Sequence, residues 1–285
     1  MNKHRADLLF LAPLFLFVLL FVLVPVIGAL INSLFRDVSF LPVKFTGLMN
    51  YIRLSGDSAF RKAVVFTLLF SAVSVFLEMA AGILTASVIN EEFRMRGLIR
   101  GIVLIPWAIP NVIGARMWQF IYQFEYGVHN FFMKALFGMP ENWLGSPAGA
   151  FSALVAADVW RTTPFVAIII LAGMQNLPTS IYDQAKVDGA GMIARFFRIT
   201  LPALKPILLI ALIFRTIDAL RIFDVILVMT GGGPGGTTSS ISLLGYKAFL
   251  QGDFGYGSAI SVAIFLLAFV IAMVYLKAGR IKEEI

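Results

Sequence analysis

Within stretches otherwise built of Leu, Ile, Val, Phe and Ala, this chain carries Asp158 with Arg161, Arg215 with Asp218, Arg221 with Asp224, and single charges at Glu78 and Arg116. A charge in hydrocarbon costs about 2.5–3.5 kcal/mol on insertion scales, so each needs a partner or a task. On a helix, Asp158, Arg161, Thr162 and Phe165 fall at i, i+3, i+4 and i+7 and share one face. Arg215, Asp218, Ala219 and Ile222 repeat that spacing. Carboxylate and guanidinium forks can bond paired hydroxyl groups, and Phe165 or Trp160 could supply an aromatic face. The same residues could instead be salt bridges that fix helix register, which is the simpler reading for Arg221 and Asp224. Either the charges pair and present their outer atoms, or the ligand is itself charged; the spacing leaves both open.

Other chemistry finds little support. There is no cysteine, hence no disulfide, thiolate metal site or thiol nucleophile. The two histidines, His4 and His129, lie outside the apolar stretches and near no carboxylate cluster. Neither a zinc-ligand spacing nor a G-x-S-x-G elbow occurs, so an intramembrane enzyme is disfavoured. The glycine-rich run Thr230 to Thr237 reads as a mobile turn rather than a phosphate loop, because no Lys-Ser/Thr follows it at the required spacing. Nucleotide binding by this chain, and with it any cofactor of its own, is therefore not expected.

Apolar residues make up 59% of the 285 and charged residues 14%, and the mean hydropathy is +0.89. Soluble domains carry about 25% charge, so the chain reads as an integral membrane protein of a single domain, residues 1–285. Its net charge of +7 is dispersed among loops that flank apolar stretches, not gathered into the patch that nucleic acid requires.

A spanning helix needs about 20 apolar residues. Six stretches qualify, at about 8–31, 63–89, 97–122, 148–173, 204–229 and 256–276. The first is too long for a signal-peptide core and no small-residue cleavage site follows it, so it is read as a retained helix. Pro106 and Pro110 interrupt the third and Pro164 the fourth, as packing kinks or as breaks over a cavity. Between the third and fourth, Phe124 to Pro147 is long enough for a short helix lying on the membrane surface. With the N-terminus inside, Lys3, Arg5, Arg94, Arg96, Arg100, Lys186, Arg195, Arg198, Lys205, Lys277, Arg280 and Lys282 fall on the cytoplasmic side. The other side holds Arg36, Lys44, Arg53, Arg61, Lys62, Lys134 and Lys247. The excess places both termini in the cytoplasm.

That orientation puts a patterned loop, about 176–203, inside the cell. Pro178 followed by Thr179 or Ser180 as N-cap, with Asp183 in the first turn, opens a helix. Tyr182, Ala185 and Gly189 fall at i, i+3 and i+7, and the small residues would allow close approach to a partner's backbone. Leu201-Pro202 is read as its stop. Docking on a partner and lying on lipid headgroups through Arg195 and Arg198 are both compatible with these residues.

The loop resembles the so-called EAA motif of binding-protein-dependent importers, with Asp183-Gln184-Ala185 in place of Glu-Ala-Ala, then Asp188-Gly189-Ala190 and later Leu201-Pro202. Ile222-Phe223-Asp224 and Met229 through Pro234, Trp160 through Pro164, Ala172 through Pro178, Gly127 to Asn130 and Asn142-Trp143-Leu144 are similar to the carbohydrate branch of that family, the maltose- and trehalose-type ATP-binding-cassette (ABC) permeases. The resemblance covers nearly the whole chain. It implies an all-α membrane protein, a type I importer permease of six transmembrane helices with a cytoplasmic coupling helix, in the cell membrane.

The resemblance further implies that Tyr182, Asp183, Gln184, Ala185, Asp188, Gly189, Ala190, Leu201 and Pro202 dock an ATPase. It places Asp158, Arg161, Thr162, Phe165, Arg215, Asp218, Ala219 and Ile222 on the substrate pathway. The implied partners are a second homologous permease subunit in a heterodimer, two ATP-binding subunits that bind ATP and magnesium, and an extracytoplasmic sugar-binding protein. The implied cargo is a di- or oligosaccharide; membrane lipid is the surrounding solvent and nucleic acid is no partner. The rival is an ion-coupled secondary transporter whose Asp/Arg pairs relay protons, although the inverted repeat common in such folds is not evident.

Overall fold

The computed structural model describes residues 3–279; Arg280 and Lys282, which enter the orientation argument, lie outside them. Along the chain, α1 (Lys3–Val18) runs through a π turn (Leu19–Leu23) into α2 (Val24–Asn32), and β1 (Phe35–Arg36) pairs with β2 (Lys44–Phe45) in a small antiparallel hairpin. There follow α3 (Met49–Gly56), α4 (Ser58–Asn90), α5 (Arg96–Ala108), α6 (Asn111–Ile121), α7 (Val128–Phe137) and α8 (Pro147–Gln175). Next come α9 (Thr179–Val187), α10 (Met192–Arg195), a second π turn (Phe196–Thr200) and α11 (Leu201–Ala203). The chain closes with α12 (Lys205–Leu220), α13 (Asp224–Met229), α14 (Ile241–Leu250) and α15 (Phe254–Ala278).

Among the described residues, four helices are long and apolar enough to cross a membrane: Leu11–Asn32, Ser58–Asn90, Pro147–Gln175 and Phe254–Ala278. Two bent pairs, α5 with α6 at 88° and Met192–Ala203 with Lys205–Leu220 at 67°, raise the number to six if each counts as one span.

The third expected stretch, 97–122, is thus two helices meeting at nearly a right angle. The cause is Pro110, not Pro106: Ile109 is extended at φ −71°, ψ 131°, as sterics demand of a residue before proline, while Pro106 lies inside α5. Conversely, α8 continues unbroken through Pro164, against expectation. Its buried face supplies the neighbours that make a proline tolerable in a membrane helix. The fifth stretch, 204–229, also divides. α12 ends at Leu220, Arg221 to Phe223 leave the helix, and α13 starts anew at Asp224 and packs along α6.

The described residues group into two compact units. The first comprises 1–61 and 241–267. In it Tyr256 Oη donates to Asp57 Oδ2 at 2.5 Å, and Arg53 bonds Asp253 at 2.6 Å while lying 4.0 Å over the Tyr256 ring. α14 was not foreseen; ten residues are too few to register as a span.

The second unit comprises 62–240 and, of the described residues, 268–279 and is built on α4. Its 33 residues would extend about 50 Å at 1.5 Å per residue, beyond the roughly 30 Å of a hydrocarbon core. Its buried positions in this unit, Ala63, Phe66, Thr67, Phe70, Ser71, Ser74, Val75, Glu78, Gly82, Ala86 and Ile89, step by three and four and trace one helical face. Gly82 lets α8 approach: a Cβ there would stand 2.5 Å from Val166 Cγ1. Below that contact Ala86, Ile89, Val166, Ala167, Ile170, Leu171, Met174 and Leu204 form a dry core. The start of α8 is fixed by Ser146, whose hydroxyl accepts from Gly149 N at 3.1 Å, with Pro147 at the first helical position. The expected short helix after Phe124 is present as α7. The glycine-rich turn is braced, not loose: Gly231 N donates to Ile226 O at 2.8 Å, and Thr238 Oγ1 to Gly233 O at 2.6 Å.

Candidate functional site

The charges inside the apolar helices converge. Arg215, on α12, donates from Nε to Glu78 Oε2 at 2.6 Å and from Nη2 to Glu78 Oε1 at 2.9 Å, a two-pronged pair on α4. Both side chains are almost fully enclosed, at 3% and 0% exposure. Asp158 Oδ2, on α8, lies 3.5 Å from Arg215 Nη2. Arg215 Nη1 turns outward to Asp218. Hydroxyls complete the set. Ser74 Oγ is 2.7 Å from Asp158 Oδ2 and 2.9 Å from Glu78 Oε1, and Thr162 Oγ1 is 2.7 Å from Glu78 Oε1.

Glu78 is therefore no lone charge; it is the hub. Sequence spacing missed it because its partners Thr162 and Arg215 lie 84 and 137 positions further on, and i, i+3 arithmetic sees only neighbours on one helix. Burying this cluster costs solvation that only well-formed pairing can return. Both Glu78 oxygens and Asp158 Oδ2 have such partners.

A second string runs beside the first. Arg161 Nη1 donates to Asn111 Oδ1 at 2.6 Å, and Asn111 Nδ2 donates to Asp224 Oδ2 at 2.9 Å. The expected Arg221–Asp224 pair does not form, because the helix breaks between them and Asp224 turns to the first residue of α6. Arg116, the other lone charge, reaches Gln119 at 2.5 Å.

Between α5, α8 and α12 lies a cavity of about 260 Å³, lined by Trp107, Arg161, Thr162, Phe165, Phe214, Arg215 and Asp218. Five of the eight pathway residues thus meet at one wall. Asp158 stands behind it, and Ala219 and Ile222 are buried away from it. Phe165 stacks on Trp107 with ring centres 5.7 Å apart and planes 23° from parallel. Trp160, the alternative ring, turns instead to Trp118. Trp107 and Phe214 were not singled out by sequence, since nothing distinguishes an aromatic on a lipid-like stretch from one facing a cavity. Asp218 offers the most accessible charge, its side chain 64% exposed. The arrangement supplies an apolar plate, a carboxylate acceptor and held guanidinium donors, which is what a polyhydroxylated ring requires.

The patterned loop is a second candidate. α9 begins at Thr179 with Pro178 in the capping position and no side-chain cap, so neither Thr179 nor Ser180 fills that role. It ends where Gly189 adopts φ +78° and Ala190 N bonds Ala185 O at 2.9 Å, a left-handed glycine closure. The expected face divides. Tyr182 Oη meets Thr200 Oγ1 at 2.9 Å, and Ala185 is buried. Asp183, Gln184, Lys186, Val187, Asp188 and Gly189 face outward, joined by exposed Met192, Ile193 and Phe197. Leu201-Pro202 does not stop the element. Helical turns run on through Ala203, and the 67° bend falls at Leu204, which is 1% exposed.

Broken helices around an ion-paired cavity, with a structured loop between long apolar helices, define a membrane transport component of all-α architecture. Residues 78–278 match the family "Binding-protein-dependent transport system inner membrane component", and the chain belongs to it. It is 50% identical over 284 residues to the trehalose/maltose transport system permease protein MalF of Thermococcus litoralis, covering 99% of this chain and 96% of that one. It is 39% identical over 280 residues to the sulfoquinovosyl glycerol transport system permease protein SmoG of Agrobacterium fabrum, covering 96% and 90%. Among solved structures, a chain of a bacterial alginate ABC transporter in complex with an alginate pentasaccharide-bound periplasmic protein superposes with a TM-score of 0.86 at 25% identity, covering 98% and 96%. The fold is that of the ABC importer permeases, and the chain is a transport subunit and not an enzyme.

Proposed function

We propose that this chain forms half of the translocation pathway of an ATP-driven importer for a neutral di- or oligosaccharide. The observation that carries the reading is the cavity: a stacked Trp107–Phe165 plate facing Arg161, Thr162, Arg215 and Asp218. Half identity to a trehalose/maltose permease over nearly the full length supports it. A soluble binding protein delivers the sugar from outside. The loop 176–203 docks an ATP-binding subunit in the cytoplasm, where both termini also lie, and the outward residues of α9 with Val187, Met192 and Ile193 form the contact. A two-fold ATPase needs two such loops, so a second, homologous permease completes the pathway. ATP and magnesium belong to the ATPase partners.

Reconstitution tests this. With both permeases, the ATPase and the binding protein in proteoliposomes, labelled maltose or trehalose should enter only when ATP is supplied. Trp107→Ala should weaken handling of the sugar by about 1.4 kcal/mol, about tenfold in uptake efficiency, the upper range for one aromatic contact. Uptake driven by an ion gradient without the ATPase would favour the ion-coupled carrier instead.

A further inference from the structure

Three carboxylates, Glu78, Asp158 and Asp218, gather around the one guanidinium of Arg215. Two of its donors are spent on Glu78, at 2.6 and 2.9 Å, and Nη1 on Asp218. Arg215 lines the cavity, but each of its three nitrogens already donates to a carboxylate, so only the second N–H groups of Nη1 and Nη2 remain, the latter beside Asp158 Oδ2 at 3.5 Å. The other basic liner, Arg161, donates from Nη1 to neutral Asn111, which in turn bonds Asp224, and its buried Nε has no partner among the described residues. What the cavity presents most openly is the Asp218 carboxylate. The three carboxylates around Arg215 outnumber the two guanidinium groups of Arg215 and Arg161, so an anionic ligand would meet net like charge, while a hydroxyl group would meet an acceptor.

We propose that Glu78 and Asp218 are the charge-selectivity residues of this cavity: by occupying Arg215 they make it accept neutral sugars and reject anionic ones. This rests on the reading of the cavity as the sugar pathway. Charge is a real variable for such proteins, since two of the similar proteins are named for sulfoquinovosyl glycerol and for alginate. Glu78 acts as a positioning residue, through Arg215; Asp218 faces the ligand itself. Removing either carboxylate leaves Arg215 less neutralised, so more of its positive charge is felt in the cavity.

The test is equilibrium binding of two labelled probes, maltose and its oxidised anion maltobionate, to the purified full complex without the binding protein, which would otherwise filter the sugars first. The wild-type complex should bind maltose at least about tenfold more tightly than maltobionate, as a like charge in the cavity requires. Glu78→Gln should narrow that ratio about tenfold or invert it, with maltobionate affinity rising in absolute terms. A residue that only held the helices together would lower both affinities and leave the ratio unmoved. Because Glu78 is fully buried, Asp218→Asn is the companion variant: it leaves the Glu78–Arg215 pair in place and should shift the ratio in the same direction. Equal binding of both probes by the wild type, or an unchanged ratio in Asp218→Asn, overturns the proposal while leaving the sugar pathway intact. Binding of neither probe by the wild type overturns the pathway reading and the proposal with it.

Discussion

Arg215→Leu should destabilise the subunit more than any other single substitution on α12, by about 3–5 kcal/mol, the cost of stranding a buried charge. Glu78 would lose both its guanidinium bonds, and Asp158 the one cation within 4 Å of it among the described residues. Neither carboxylate can reach water, as both are at least nine-tenths enclosed. The measurement is thermal stability of the detergent-solubilised complex, read by size-exclusion chromatography after heating. Adding Glu78→Leu to Arg215→Leu should restore a substantial part of the loss, because replacing an ion pair by apolar groups costs far less than halving it. Arg161→Leu should cost less than Arg215→Leu, since its partner Asn111 is neutral. A stability for Arg215→Leu within about 0.5 kcal/mol of wild type, the range of an ordinary surface change, would show that the cluster does not hold α4, α8 and α12 together.

Gly189→Pro should leave the subunit inserted and assembled yet reduce sugar-stimulated ATP hydrolysis by at least about tenfold, equivalent to 1.4 kcal/mol of coupling. Gly189 lies at φ +78°, and its N–H donates to Lys186 O at 3.0 Å. Proline fixes φ near −65° and has no N–H to donate. The closure of α9 would open while the buried core remained untouched, because no atom lies within 4 Å of where a Cβ would stand. Val187→Asp provides the contrast. The residue is 87% exposed, so a carboxylate there disturbs nothing within the chain, and any loss of stimulated hydrolysis reports on the partner contact. Normal stimulation in both variants would contradict docking through this segment.

The sequence showed the apolar stretches, their approximate ends and the patterned loop, because length and hydropathy are local properties. Individual residues show where that legibility stopped. Pro110 and Pro164 look alike in sequence, yet only Pro110 breaks a helix; Pro164 lies on the buried α8, where neighbours support the backbone. Glu78 looked solitary because the helices that satisfy it come much later in the chain. Tyr182 and Ala185 were read as a docking face, but helical spacing gives a shared face without saying which way it points. Tyr182 meets Thr200 of the chain's own return. Of the pathway residues, the charged and aromatic ones on α8 and α12 converge as spacing suggested. Ile222 does not, since its helix ends two residues earlier.

The most direct measurement exploits the absence of cysteine from the sequence. Val187→Cys would be the single thiol of this subunit, at the most outward point of α9. In the assembled complex in membrane vesicles, a short bis-maleimide should join it to an engineered cysteine in the docking cleft of the ATP-binding subunit, and an impermeant maleimide should reach it only from the cytoplasmic face. Labelling from the outer face of intact cells, with no adduct to the ATP-binding subunit, would contradict the transmission of force through this loop.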